Sequence, residues 1–113
     1  MLTDYDFLAS AEAAHTAAGL DFPKIFDTYF TTGWVQKTPV SFIMAGHCPG
    51  RSDAWLVWWA EMHPAIRGDR KLMLKRLMSL MPHRRPYIAF ARGLREKPEL
   101  RFYSTSRMLR LTR

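Results

Sequence analysis

The 113-residue chain has one cysteine, no asparagine, and no apolar run longer than Ala54 to Ala60. Each scarcity excludes something. Cys48 alone cannot close an internal disulfide, so a secreted disulfide scaffold is ruled out and a reducing, cytoplasmic setting is expected. The longest apolar run is strand-sized, far below the ~18 residues of a membrane helix, and no membrane association is expected. The first residues carry Asp4 and Asp6 where a secretory signal would carry lysines. A hydrophobic content of 48% is too high for a disordered tail. The length suits one compact domain, residues 1–113, able to bury a core without a metal or disulfide.

Acids are scarce in one half only. Residues 1–50 hold five acids and two bases, net −3, whereas residues 51–113 hold five acids and fifteen lysines and arginines, net +10. A bias of this kind offers anions a surface, whether nucleic acid, a phosphorylated cofactor or an acidic protein. A solvated basic face kept for solubility gives the same count.

Periodicity divides the chain into elements. Thr3 and Asp6 have capping-box spacing ahead of an Ala-rich helix over Asp4 to Ala18, which Gly19 stops. Asp21 caps a second helix, with Pro23 in its first turn and an apolar stripe of Phe22, Ile25, Phe26, Tyr29 and Phe30 ending at Gly33. From Val40 to Ala45 the pattern alternates with a period of two and predicts a strand. The stretch His47 to Asp53 is dense in turn formers. Ala54 to Met62, apolar on both faces, predicts a central strand. A loop with Pro64 and Gly68 leads to a helix over Asp69 to Met81, stopped by Pro82, with Met73, Leu74, Leu77, Met78 and Met81 inward and Lys71, Lys75 and Ser79 outward. Pro86 to Arg92 and Glu99 to Tyr103 predict two more strands, and Ser104 to Leu111 fits either a strand or a short helix.

Strand, loop, helix, strand over Ala54 to Arg92 has the form of a crossover unit and places its two strands parallel. The strand before it joins by a tight turn, so the sheet is mixed, an α/β arrangement with helices available to both faces.

The crossover loop, Met62 to Arg70, sets Arg67 and Gly68 between a central strand and a helix start. Glycine admits an anion close to the backbone, the first helical N–H groups point at it, and Arg67, Arg70, Lys71 and Lys75 add charge. An ordinary strand-to-helix turn with solvated arginines has the same composition.

Met62, Pro64, Arg67 and Gly68 match an apolar-x-Pro-x-x-Arg-Gly-x-Gly loop, and strand, loop, helix, strand here resembles the acetyl-CoA-binding core of the GNAT N-acetyltransferases. The likeness covers about Val40 to Arg92. It departs at Arg70, where the family has glycine, and at Leu72, where the family has a small residue. The family's further helix after the third core strand is replaced by Gly93 to Pro98. The resemblance implies a mixed sheet with two N-terminal helices, antiparallel strands, and a parallel pair splayed to receive pantetheine. It implies acetyl-CoA as cofactor, held around Met62, Arg67, Gly68, Asp69, Arg70 and Lys71. The ending Lys97 to Tyr103 resembles that of small GNAT-like phage proteins, which implies virion association as an alternative location.

Acetyl transfer to an amine needs a base, a polarised thioester carbonyl and an acid for the thiolate. Glu61 lies where the resemblance implies a base, although a salt-bridged structural carboxylate is the competing reading. His63 is adjacent and equally suited to a turn. Tyr103 is the candidate acid. His47, Cys48, His63 and His83 show no metal-ligand spacing, and Cys48 beside His47 lacks an orienting acid, so it reads as a free thiol.

Nucleic acid is the alternative. Arg84, Arg85, Arg92, Arg95, Lys97, Arg101, Arg107, Arg110 and Arg113 interleave with Tyr87, Phe90, Phe102 and Tyr103, a pattern compatible with phosphate contacts and base stacking. Core burial on strands explains the same aromatics. No helix-turn-helix, zinc-finger or RNP signature is present, so this reading is of a non-specific binder or a virion- or assembly-associated structural protein.

Overall fold

A computed structural model describes residues 2–113. Four helices and a five-stranded mixed sheet follow in the order α1 (Phe7–Ala17), α2 (Phe22–Thr32), β1 (Trp34–Lys37), β2 (Ser41–Cys48), β3 (Arg51–Met62), α3 (Arg70–Leu80), β4 (Tyr87–Arg92), β5 (Glu99–Ser104) and α4 (Thr105–Leu111). A single 3-10 turn, Pro64–Ile66, lies between β3 and α3. The strands lie in sequence order across the sheet. Only β3 and β4 are parallel, because α3 carries the chain back between them. Among the described residues no helix is long and apolar enough to cross a membrane.

Alternate residues of β2 serve opposite faces of the sheet. Phe42 and Met44 pack with Phe7, Ala11 and Phe22 under α1 and α2. Ile43 and Ala45 join Val57, Ile88, Leu77 and Met108 under α3 and α4. Both faces are therefore buried, which the alternating pattern alone did not require.

Several expected boundaries move. Asp6, and not Thr3, caps α1, its carboxylate accepting the Ala9 N–H at 3.0 Å. Asp21 caps α2 as its position implies. A short strand, β1, follows Gly33 where no strand was expected: four residues are too few to show a period. The turn between β2 and β3 is only Pro49 and Gly50, so β3 starts at Arg51 and not Ala54. Gly50 has φ +75°, the left-handed value that glycine after proline supplies in a tight turn. Met81 at the end of α3 is extended, as a residue before proline must be. The ambiguous C-terminal segment is a helix, α4, capped by Ser104.

Candidate functional site

The β3–β4 ladder is short. Ala54 to Val57 pair with Tyr87 to Phe90, and there the pairing stops, although β3 continues to Met62 and β4 to Arg92. The cause lies on the other side of β3. Met44 pairs with Trp59 and Ala45 with Val57, which leaves Trp58 as an extra residue in a β-bulge. A bulge bends its strand, and this one comes one residue after the last parallel pair.

Helical contacts hold the bulge in place. The Trp58 indole donates to His15 Nε2 at 3.0 Å and stacks on Tyr29, ring centroids 5.9 Å apart. His15 is fully buried in α1, and its Nδ1 donates to the Ala11 carbonyl at 2.6 Å, which makes Nε2 the acceptor Trp58 needs.

The bend opens a cleft of about 250 Å³ lined by Val57, Trp58, Trp59, Ala60, Phe90, Ala91, Gly93 and Leu94. The β4-facing backbone of β3 beyond Val57 has no strand partner there. At its far end β3 runs through Met62 into the 3-10 turn and the start of α3. Met62 is buried and offers a ligand only its backbone. Gly68 would have nothing within 4 Å of an added Cβ, so its lack of a side chain leaves open space and relieves no clash. The amides of Gly68 and Lys71 have no hydrogen-bond acceptor among the described residues, and Arg67, Arg70 and Lys71 are exposed beside them. Asp69 works against an anion here: it is the α3 N-cap, its carboxylate accepting the Leu72 N–H at 2.9 Å.

Glu61 is turned to the opposite side, under α1. Its Oε2 accepts from Ser10 Oγ at 2.8 Å and Tyr5 OH at 3.1 Å, and lies 3.6 Å from Arg67 Nη2. The side chain is 10% exposed and its Oε1 is buried without a hydrogen-bond partner. His63 is buried, its Nε2 donating to the Thr3 carbonyl at 2.7 Å and its Nδ1 accepting the Ala65 N–H at 3.0 Å, so both ring nitrogens are used to tie the N-terminal segment to the loop. Tyr103 faces α3 and α4 from β5 and packs edge-on against Phe90, ring centroids 5.7 Å apart. The structure thus brings Glu61 and Arg67 together at the end of β3, and does not bring Tyr103 to them.

The sequence does not mark His15, Tyr5 or Ser10 as site residues, whereas the splay implied by the resemblance begins at Trp58. A histidine inside an alanine-rich helix was the one available signal, since a polar ring among small residues needs partners if it is buried. Nothing in the sequence marks Tyr5 or Ser10, whose partner is more than fifty residues away.

Among the described residues no three His, Cys, Asp or Glu side chains lie together as a metal site would require. No protein-family model, curated protein or solved structure matches the chain.

Proposed function

We propose that this is a small GNAT-like domain that binds acetyl-CoA and transfers its acetyl group to an amine. The reading is supported chiefly by the end of β3–β4 pairing at Val57 and Phe90, which leaves a cleft beside β3, the strand whose far end runs into the turn before α3. An extended ligand bearing amides can pair with the free edge of β3 as an added strand does. Its diphosphate then meets the open space at Gly68, the free amides of Gly68 and Lys71, and the charges of Arg67, Arg70 and Lys71. Two carboxylates oppose the anion, Asp69 at the helix cap and Glu61 beside Arg67, which leaves Arg70 and Lys71 as its unpaired charges.

In the transfer, the amine nitrogen bonds to the thioester carbon as the carbon–sulfur bond breaks. The amine proton passes to water, because Glu61 is turned away from the cleft under α1 and its Oε1 is buried. The thiolate takes its proton from water at the cleft mouth, because Tyr103 faces α3 and α4 from the next strand.

Titration calorimetry with acetyl-CoA and with CoA tests the binding step. Saturable heat is expected for both, weakened about ten-fold or more by an Arg70→Glu, Lys71→Glu double variant whose circular dichroism is unchanged. No heat at millimolar ligand overturns the reading.

A second reading is that the basic half binds an acidic macromolecule. It is favoured by the scarcity of ion pairs: among the described residues only Arg51–Asp53 and Arg67–Glu61 form, which leaves most of the fifteen bases of residues 51–113 free. Binding to DNA, RNA or an acidic peptide that falls steeply with salt is expected, and its absence at low ionic strength removes this reading.

A further inference from the structure

The surface between α3, α4 and the ends of β4 and β5 contains a second cavity, distinct from the splayed cleft except that Phe90 borders both. Its volume is about 300 Å³. Leu74 of α3, Phe90 of β4, Tyr103 of β5, and Met108 and Leu111 of α4 form its walls. Leu111 is 59% exposed and continues the apolar lining out to the surface. Arg92 and Arg101 line the same groove and are exposed, and neither forms an ion pair or a side-chain hydrogen bond among the described residues.

Charge is as one-sided as the lining is apolar. The four elements that build the groove carry eight bases, from Arg70 on α3 to Arg110 on α4, and a single acid, Glu99. Three occupants are chemically conceivable, and two fit poorly. A small carboxylate with an apolar tail neutralises one base and leaves seven. A nucleic acid meets the charges, but its sugars and phosphates leave an aliphatic floor of Leu74, Met108 and Leu111 without a matching surface. Of the exposed aromatics in the basic half only Tyr103 lines the groove, and it packs edge-on against Phe90. Tyr87 and Phe102 lie on the other face of the sheet, each already under the Arg51 guanidinium at 5.0 and 4.6 Å, so no row of stacking platforms is offered. A polypeptide with several acids and large apolar side chains satisfies both properties at once. The volume lies at the lower limit of the about 300–1,000 Å³ usual for small-molecule pockets and suits anchor side chains inserted from a larger partner.

We infer that this groove docks an acidic polypeptide segment whose apolar side chains enter between Leu74, Phe90, Met108 and Leu111 while its carboxylates pair with Arg92 and Arg101. The inference rests on the reading that the basic half has an acidic partner, and gives that partner a chemical class and a place.

The test uses a fluorescein-labelled peptide of about 18 residues, five turns of Glu and Leu patterned as an amphipathic helix, read by fluorescence anisotropy. Saturable binding is expected, with affinity falling about ten-fold for a peptide with Ser in place of every Leu, and about ten-fold again for the chain variants Leu111→Ser and Arg92→Glu, Arg101→Glu. These three positions are exposed, so the variants are expected to keep the circular dichroism of the parent. If the Ser peptide or an oligo-dT strand binds as tightly and Leu111→Ser has no effect, the groove is overturned while an acidic partner bound by charge alone survives. If decanoate displaces the Leu peptide at stoichiometric amounts, a small carboxylate is the occupant and the inference fails. If neither peptide nor oligo-dT binds at low salt, both the inference and the reading beneath it fall.

Discussion

Gly33 and Gly68 occupy similar places in the chain, each at a junction between a helix and a strand, and the structure asks opposite things of them. A Cβ on Gly33 would clash with the Ala45 carbonyl oxygen and lie 2.6 Å from the Gly46 Cα. Both neighbours are backbone and cannot swing aside. The φ of Gly33 is −135°, so close packing between α2 and β2, and not a left-handed turn, demands glycine there. Gly33→Ala is accordingly expected to cost about 3 kcal/mol by forcing α2 off the sheet, measurable as a fall in the urea midpoint. Gly68→Ala meets nothing and is expected to leave the midpoint unchanged within about 0.5 kcal/mol, while still narrowing the space for an anion. The sequence shows both residues as loop glycines. Only the packing tells the structural one from the one that is free to serve a ligand.

Among the elements, α3 holds the most instructive conflict. Its start collects Arg67, Arg70 and Lys71, as an anion site would, yet its cap is Asp69, whose charge sits where an anion would bind. Of the two roles only the anion site is legible in the sequence, where Arg-Gly is a phosphate-loop signal and Asp69 reads as the first residue of the helix. Their shared position means one opposes the other. Asp69→Asn separates them, because asparagine caps as well as aspartate but carries no charge. It is expected to change stability by no more than about 0.5 kcal/mol while tightening acetyl-CoA binding several-fold, as seen by parallel calorimetric titrations of the two proteins. Equal affinity would argue against a diphosphate at this helix. β3 shows the other side of the matter. Its long apolar run makes a central strand legible and the resemblance implies a splay over Trp58 to Met62, but the cause of the bend is not legible, because the bulge depends on the register with β2 and on His15 and Tyr29 arriving from two helices.

Across the whole molecule the two halves divide the work. The net −3 half supplies α1 and α2, which clamp the Trp58 bulge and Glu61, and the net +10 half supplies the loop, α3, α4 and the groove between them. Stability should depend on pH through the junction of α2 with the sheet. Burial there pushes Tyr29 up to about 12 from its usual 10.0, with the nearby Cys48 thiolate adding to the shift, and burial likewise raises the Cys48 thiol above its usual 9.0. Raised values in the fold mean that the unfolded chain loses these protons first. The stabilisation is therefore complete below about pH 9 and is lost as pH rises toward 12. Urea midpoints measured from pH 8 to 11 are expected to decline above pH 9, and Tyr29→Phe should flatten the part above pH 10. An unchanged slope in that variant would place the loss elsewhere. By itself the sequence determined the types of the longer elements, the capping residue Asp21, the parallel crossover and the charge division, because these depend on local spacing and on residue chemistry. Only the tertiary structure decided what bends β3 away from β4, that Glu61 is held by Tyr5 and Ser10, that Tyr103 faces away from it, and that an apolar groove lies among the arginines. Each of these arises from contacts between segments distant in the chain, and no local pattern of residues encodes which distant partner will be met.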